Sequence, residues 1–249
     1  MKPCGTSRLT EFTYTAIATL RGPYKQKFAI PRQPNLVQEA VGEVVFEKQF
    51  ADSNSLRALD QFSHLWLIWH FHETSTQGWS PLVQPPRLGG KEKVGVFASR
   101  SPFRPNSIGL SVVRNLGSAE VDGKLVLRVG GIDIMDKTPI LDIKPYVVYA
   151  DSVADAKSGF ANKQPGSQRP ITFSASAAQA LTACVANYPQ LQDFIVAVLQ
   201  QDPRPAWRVR ENDDKQYGMT IYDFNIKWQF SGDEIEVNAI TLSDNDTES

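Results

Sequence analysis

The chain has 249 residues, of which 41% are apolar and 21% charged, and its formal net charge is -1. These values are ordinary for a globular protein. They exclude a protein that binds nucleic acid through its overall charge, but they allow binding through a local basic surface. The two cysteines lie far apart in the sequence, which excludes a disulfide framework. The longest apolar run, residues 65–71, is too short to cross a bilayer. We therefore expect a cytoplasmic protein with no membrane partner.

The first part of the chain, residues 10–150, is predicted to be a domain of many short strands separated by Gly- and Pro-rich turns. Residues 65–72 are almost wholly apolar and rich in aromatic side chains, which predicts a strand buried on both faces. Further strands are predicted at residues 111–113, 125–129 and 140–143, and a short α-helix near residues 54–59. Because few long helical patterns occur, the predicted fold class is mostly β, as a small antiparallel β-sandwich or β-barrel.

The second part is predicted to be a small α+β domain over residues 171–242, joined to the first by a polar linker at residues 151–170. An Ala-rich helix is predicted at residues 175–186. A second helix is predicted to open at Pro189 and to end at Asp202-Pro203, and its apolar face follows helical spacing through Leu191, Phe194, Ile195, Val198 and Leu199. Alternating residues 222–230, a turn at 231–233 and the apolar residues Ile235, Val237 and Ala239 predict a β-hairpin.

Two segments concentrate positive charge. Residues 21–34 carry Arg21, Lys25, Lys27 and Arg32 with no acid, and prolines stiffen the loop, so it suits the binding of a carboxylate or phosphate. Residues 87–114 carry six bases and one acid, including Arg100 and Arg104, which suits contacts with phosphates. The alternatives are a solvated basic turn in the first segment and arginines that brace turns in the second.

Acidic and imidazole side chains form two further groups. Residues 130–146 hold three aspartates, and alternation puts Ile132 and Ile134 on one face with Asp133 and Met135 on the other. Such charges can bind a cationic or hydroxyl-bearing ligand, or they can belong to a polar hairpin turn. His70, His72 and Glu73 follow a strand, but His64 is the one other histidine and no cysteine is near, so we predict core histidines at a pocket rim and no metal site.

Several familiar catalytic signatures are absent from the sequence. There is no phosphate-binding P-loop, no HExxH zinc motif, no GxSxG elbow and no glycine-rich dinucleotide fingerprint between a strand and a helix. The residues alone therefore predict a compact β domain with a basic, proline-stiffened pocket, and they do not identify a cofactor.

Five motifs in order along the chain together resemble the TsaA-like (TrmO, YaeB) family. They are Pro31-Arg32-Gln33-Pro34; Phe62-Ser63-His64-Leu65-Trp66; Arg87-Leu88-Gly89 with residues 95–101; residues 103–109; and Asp142-Ile143-Lys144-Pro145-Tyr146. Asp202-Pro203-Arg204-Pro205 resembles the C-terminal extension of the bacterial members. The resemblance spans residues 13–242, nearly the whole chain.

The resemblance implies a homodimeric β-barrel methyltransferase that uses S-adenosylmethionine. Its product would be N6-methyl-N6-threonylcarbamoyladenosine at position 37 of threonine tRNA, next to the anticodon. By matching positions, the cofactor-binding residues would be Pro31, Arg32, Gln33, His72, Glu73, Arg100, Leu110, Asp133, Ile134, Met135 and Asp136. The sequence departs from the family at Glu73, where glutamine is frequent, and at Lys137, where glycine is usual and a positive φ is easier to adopt.

Roles within such a site follow from side-chain chemistry. The proton on N6 must leave, and Asp133, Asp136 or Glu73 can accept it. Arg32, Arg100 or Arg104 can hold the threonyl carboxylate of the substrate or the methionyl carboxylate of the cofactor. We therefore predict Asp133, Asp136 and Arg100 as catalytic residues.

The predicted partner is the anticodon loop of tRNA. The residues predicted to bind it are Lys25, Lys27, Arg104 and Arg204, and Arg208, Arg210 and Lys227 extend the basic character of the C-terminal domain. Two other functions stay open: a non-enzymatic module that binds RNA or a small molecule, and a hydrolase or metal-dependent enzyme that uses His70 and His72.

Overall fold

The computed structural model describes residues 10–89, 92–163, 166, 169–204 and 215–243. Strands of the first part are β1 (Ala18–Arg21), β2 (Val41–Phe46), β3 (His64–His70), β4 (Leu82–Val83), β5 (Val94–Gly95), β6 (Ile108–Val121), β7 (Lys124–Gly130) and β8 (Pro139–Pro145). Short 3-10 helices occupy Lys48–Phe50, Ser53–Leu56, Leu59–Gln61, Ser75–Gln77, Pro86–Leu88, Val96–Ala98 and Gly159–Ala161, and α1 is Val148–Asp151.

Six of these strands close into a barrel in the order β1-β2-β7-β6-β3-β8, and β8 pairs back with β1. Every neighbouring pair is antiparallel. The loops that follow β1, β3 and β7 therefore leave the barrel at the same end, because these three strands run in one direction. We call this end, with residues 22–40, 71–107 and 131–138, the loop end.

The mostly β prediction is confirmed, and the three strands predicted at 111–113, 125–129 and 140–143 lie within β6, β7 and β8. The expectation that residues 65–72 are buried on both faces is wrong. In β3 the side chains of Leu65, Leu67 and Trp69 are buried, whereas the residues between them are only half-buried. The strand forms part of a barrel wall, so only its inner face is enclosed by other strands.

The α-helix predicted near residues 54–59 is also absent from the structure. Asp52 accepts a hydrogen bond from the backbone N–H of Asn54 and starts a single 3-10 turn, Ser53–Leu56. Ala58 then adopts the left-handed conformation, with φ of 67°, which separates this turn from the next one. A left-handed residue cannot continue a right-handed helix, so the pattern breaks into two short turns.

The second part contains β9 (Ile171–Phe173), α2 (Ala175–Cys184), α3 (Leu191–Gln200), β10 (Tyr217–Ile221), β11 (Phe224–Ser231) and β12 (Glu234–Leu242). The sheet order is β10-β11-β12-β9, in which β9 alone is parallel to its neighbour. Both predicted helices are present, and the predicted apolar face of α3 is buried. This part is more strand than helix, so it is better described as a mostly β unit that carries two helices.

The predicted β11–β12 hairpin is present, but its apolar face continues through Ile240 and not through Ala239. Lys227 pairs with Ala239 and Trp228 pairs with Val237, so Asn238 is an extra residue in β12. A bulge of this kind reverses the inward and outward positions beyond it. Ile240 is accordingly buried, while Ala239 is half-buried.

Tyr24, in the loop after β1, joins the two parts of the molecule. It is fully buried, forms a β-bridge with Ile221, and its ring centroid lies 5.7 Å from that of Phe194 on α3. The backbone N–H of Tyr222 also donates to the Pro23 carbonyl at 2.8 Å. The barrel core and the C-terminal core therefore form one hydrophobic cluster.

Candidate functional site

Asp133 lies at the loop end of the barrel and is held from inside it. The Ser111 hydroxyl, on the inner face of β6, donates to Asp133 Oδ1 at 2.6 Å. The Trp69 Nε1–H of β3 in turn donates to Ser111 Oγ at 3.1 Å in the barrel interior. Two strands thus fix one carboxylate, because the buried Ser111 hydroxyl both donates to Asp133 and accepts from Trp69.

Burial raises the pKa of the Asp133 carboxyl to about 6, which places its titration close to neutral pH. The Ser111 hydrogen bond, a backbone hydrogen bond and the positive charge of Arg100 each oppose this shift by stabilising the ionised form. Burial also raises the pKa of the Tyr24 hydroxyl well above its usual range, and the negative charge of Asp133 adds to that shift. Asp133 is therefore within electrostatic reach of both Arg100 and Tyr24.

Gln33 and Arg100 bring two loops together at the same end. The Arg100 guanidinium donates to Gln33 Oε1, which connects residues 22–40 with residues 71–107. Arg32 is exposed, and its side chain makes no hydrogen bond within the described part of the chain. Partial desolvation lowers the pKa of Arg32, while Asp202 raises it and Arg87 lowers it further. A planar guanidinium in this state is available for a carboxylate or phosphate.

Asn35 fixes the loop that carries Arg32 and Gln33. Its backbone N–H donates to the Gly131 carbonyl at 2.8 Å, and its side-chain amide donates to the Val112 carbonyl at 3.0 Å. Gly131 has φ of 71°, and a Cβ there would lie 2.2 Å from Asn35 Oδ1. Glycine is therefore required at 131 both by its backbone conformation and by the closeness of the asparagine.

Asp136 has a different environment from Asp133, because both of its oxygens already have partners. Lys25 Nζ donates to Oδ2 at 2.7 Å and the Gly22 backbone N–H donates to Oδ1 at 2.8 Å. These bonds tie the loop at 131–138 to the loop after β1. Asp136 and Lys25 thus form a structural ion pair at the loop end, so they are poorly placed for the catalytic and RNA-binding roles predicted for them.

Lys137 takes the left-handed conformation, with φ of 62°. Its backbone N–H donates to the Leu20 carbonyl at 2.8 Å, and the Leu20 N–H donates to the Thr138 carbonyl at 2.9 Å. Because both bonds join the loop to β1, they hold the turn in a shape that glycine would adopt more easily. The departure from glycine at this position therefore leaves the turn intact.

His72 contacts the same loop from the other side. Its Nδ1 lies 3.4 Å from the Thr138 hydroxyl, and its Nε2 lies 3.3 Å from Glu73 Oε1. Thr138 is buried and His72 half-buried, whereas the side chain of Glu73 is 62% exposed. The structure thus places His72 and Glu73 at the loop end, and their position at a pocket rim stays a prediction.

The remaining predicted cofactor residues differ in their surroundings. Pro31 and Ile134 are buried and Met135 is half-buried, and Ile134 belongs to the hydrophobic core. Leu110 is 51% exposed, and it precedes the inward-facing Ser111 on β6. Since neighbouring strand residues point to opposite faces, the Leu110 side chain lies on the outside of the barrel and away from Asp133.

Arginines of the second basic segment brace loops through neutral acceptors. Arg87 donates to the Lys163 carbonyl at 2.5 Å, Arg104 to the Ser99 carbonyl at 3.2 Å, and Arg114 to the Gln38 carbonyl at 2.5 Å. The alternative that these arginines brace turns is therefore observed. Because a carbonyl satisfies guanidinium N–H groups without neutralising their charge, contacts with phosphates stay a prediction for this segment.

Of the residues predicted to contact RNA, Lys27 is exposed and lies 5.4 Å above the Phe28 ring. Arg204 is buried: Asp202 binds it at 2.7 Å and 2.8 Å, and its guanidinium lies 4.0 Å from the Phe230 ring centroid. A buried, paired arginine has no surface for a phosphate, so this environment argues against the predicted RNA contact. Arg208 and Arg210 lie outside the described residues.

Ser111 and Trp69 were not among the site residues predicted from the sequence. A serine between apolar residues on a strand was a usable signal, because Gly109, Ser111 and Val113 share one face of β6 and that face is otherwise apolar. Glycine is required at 109 for a steric reason, since a Cβ there would lie 2.3 Å from the Trp69 ring.

Within the described residues, no group of three or more His, Cys, Asp or Glu side chains is placed to hold a metal ion. None of the helices in this part of the chain is long and apolar enough to cross a membrane.

Comparison with known proteins gives matches along almost the whole chain. Residues 19–152 match the family model for the tRNA-methyltransferase O N-terminal domain, and residues 167–243 match the model for the TrmO C-terminal domain. A tRNA (adenine(37)-N6)-methyltransferase of Escherichia coli (strain K12) is 42% identical over 93% of this chain and 99% of its own.

Two further relatives come from Pseudomonas aeruginosa. A putative S-adenosylmethionine-dependent methyltransferase, RcsF, is 40% identical over 86% of this chain and 90% of its own length. The crystal structure of TrmO from that organism superposes with a TM-score of 0.78 at 36% identity, covering 94% of this chain and 100% of its own. The fold, the loop-end residues and these matches agree, and the chain belongs to the TrmO family of tRNA methyltransferases.

Proposed function

We propose that the chain transfers a methyl group from S-adenosylmethionine to N6 of adenosine 37 in tRNA, and that this adenosine already carries a threonylcarbamoyl group. The observation that carries the proposal is the Asp133 carboxylate, fixed by Ser111 at the loop end and close to the Arg100 cation. Relatives named for this reaction or for this cofactor match the chain over most of its length.

The loop end has the chemistry that the cofactor requires. The amino-acid portion of S-adenosylmethionine carries a carboxylate and an ammonium group. The loop end presents the exposed guanidinium of Arg32 and the carboxylate of Asp133, which have the opposite charges. Gln33 and Arg100 add an amide and a second guanidinium in contact with each other. When bound, S-adenosylmethionine supplies an electrophilic methyl group on a sulfonium.

Asp133 is the best placed of the three predicted proton acceptors. Asp136 is paired with Lys25 at 2.7 Å, and Glu73 is mostly exposed, whereas Asp133 is half-buried and held in one orientation. Its pKa of about 6 keeps the carboxyl ionised and still basic near neutral pH. In the transfer, N6 would bond to the methyl carbon as the bond from that carbon to the sulfonium sulfur breaks, which leaves S-adenosylhomocysteine. Asp133 would take the N6 proton, and alignment of N6 with the methyl carbon would supply much of the acceleration.

The threonylcarbamoyl group gives the arginines a second task, because it carries a carboxylate of its own. Arg104 already donates to two carbonyls of its own loop, at 3.2 Å and 3.4 Å. Arg32 makes no hydrogen bond in the described residues, and Arg100 donates to an amide oxygen that a stronger acceptor can replace. Arg32 and Arg100 are therefore the pair that can hold the two carboxylates.

The proposal extends to assembly and location. Ile108 and Leu110 are 39% and 51% exposed on the outer face of β6, next to half-buried Ile68 of β3. An apolar surface of this kind favours a partner, and a second copy of the chain would make the protein a homodimer. A tRNA substrate also favours a cytoplasmic location. Lys27 is an exposed cation of the first basic segment and is available to the anticodon loop.

The experiment that tests the proposal is a nucleoside digest of tRNA, read by mass spectrometry. The tRNA is taken from cells that lack the gene for this protein and is incubated with the protein and S-adenosylmethionine. We expect one added methyl group on threonylcarbamoyladenosine, and no gain without cofactor. If a control methyltransferase acts on the same tRNA and this protein does not, the proposed activity is wrong, and a non-enzymatic RNA-binding module becomes the better description.

A further inference from the structure

A groove of about 830 Å³ runs along the outside of the barrel over β1 and β2. One end of it is formed by Lys48, just beyond β2, and by Lys124 at the β6–β7 turn. The other end is formed by Lys25, Asp136 and Lys137 at the loop end. The groove therefore connects the far side of the barrel with the loop that carries Asp133. We call it the basic groove.

The charge of the basic groove is strongly one-sided. It is lined by five cations, Arg21, Lys25, Lys48, Lys124 and Lys137, and by two acids, Glu47 and Asp136. Two of the cations are paired, Arg21 with Glu43 at 3.2 Å and Lys25 with Asp136 at 2.7 Å. The other three lysines are exposed and form no ion pair in the described residues. In a chain of net charge -1, this local surplus of positive charge favours an anionic partner at the groove.

Lys137 supplies the cation where the groove meets the loop end. Its left-handed conformation is held by the backbone hydrogen bonds that join this turn to Leu20. Its side chain is exposed and lines the groove, so the positive charge of the groove continues to the loop that carries Asp133.

We propose that the basic groove binds the sugar-phosphate backbone of the tRNA. The inference rests on the proposed function. Of the residues predicted to bind RNA, Lys25 lines the groove but is paired with Asp136, so the groove adds the cations Lys48, Lys124 and Lys137 to the prediction. Lysine side chains along a groove neutralise phosphates without reading bases, so the contact is independent of sequence. An RNA strand that follows the groove is led to the loop end, where the target adenosine has to enter.

The test uses the full-length protein with Lys48→Ala and Lys124→Ala combined, since both residues are exposed and lie at the opposite end of the barrel from the loop end. The control is Lys157→Ala with Lys163→Ala, which removes the same charge from exposed positions outside the groove lining. Affinity for purified tRNA is measured at several salt concentrations, together with cofactor affinity and the maximal methylation rate at saturating tRNA. Thermal unfolding confirms that each variant is folded.

We expect the groove variant to bind tRNA about tenfold more weakly at low salt, with the slope of log affinity against log salt reduced by about 1.5. Cofactor affinity and the maximal rate should stay at the wild-type level. A groove variant that matches the wild type or the control in affinity and slope would overturn the proposal, even if the wild type methylates tRNA. A wild type that does not methylate, but binds tRNA through these lysines, would overturn the proposed activity and leave the groove assignment standing.

Discussion

At the scale of single residues, the site depends on how one carboxylate is held. Asp133 and Arg100 were accessible from the sequence, because charged residues interrupt apolar or proline-rich segments there. The Ser111 hydrogen bond of 2.6 Å could not be predicted from the sequence, since it joins β6 to a loop more than twenty residues later. The partner of a buried polar group is set by tertiary packing, which alternation along one strand does not reveal.

Replacing Ser111 with alanine should move the pH dependence of methylation toward alkaline pH. The hydroxyl lowers the pKa of Asp133, so its loss raises that pKa, and a base works only above its pKa. We expect the midpoint of the rising limb of the pH–rate profile, near 6 in the wild type, to increase by about one unit. Ser111→Thr, which keeps the hydroxyl, is the control, and an unchanged midpoint in Ser111→Ala would refute the role.

At the scale of elements, the sequence predicted strands and helices better than their irregularities. The helix at 175–184 was predicted from alanine content and the helix at 191–200 from apolar spacing and proline, which are local signals. Local signals did not predict the bulge at Asn238 or the left-handed conformation of Ala58, because neighbouring strands or turns impose each of them. The same holds for Lys137, whose turn is held by hydrogen bonds to Leu20.

The turn at Lys137 makes a prediction that depends on backbone conformation alone. Lys137→Gly relieves the left-handed strain, whereas Lys137→Ala removes the same charge and keeps the strain. We expect the glycine variant to be more stable than the alanine variant by about 1 kcal/mol, measured as free energy of unfolding in urea. Equal stabilities would mean that the turn relaxes and stores no strain.

At the scale of the whole molecule, function follows from closure of the barrel. The antiparallel order brings residues 22–40, 71–107 and 131–138 to one end, although they are far apart in sequence. The family resemblance supplied this architecture, whereas periodicity alone left a sandwich and a barrel equally open. The shared core around Tyr24 and Phe194 was also beyond sequence patterns, since it depends on contacts between the two halves of the chain.

The outer face of β6 makes a prediction about assembly. Leu110→Asp places a charge in the exposed apolar surface without touching the barrel interior, so it should separate a dimer into folded monomers. Leu242→Asp, at another exposed leucine, is the control and should leave the mass unchanged. Light scattering measures the molar mass of each variant in solution and so distinguishes a dimer from a monomer. A dimeric Leu110→Asp protein, or a monomeric wild type, would show that this face is not the dimer interface.

The most direct test of the account is the single-turnover methylation rate of Asp133→Asn, with tRNA and S-adenosylmethionine both saturating. Asparagine keeps the shape of the side chain and removes its basicity, so we expect a loss of about 100-fold or more with near-normal tRNA binding. Asp142→Asn, at a carboxylate paired with Lys144 at 2.8 Å on β8, serves as the control and should keep full activity. A rate for Asp133→Asn within about twofold of the wild type would contradict the assignment of Asp133 as the proton acceptor.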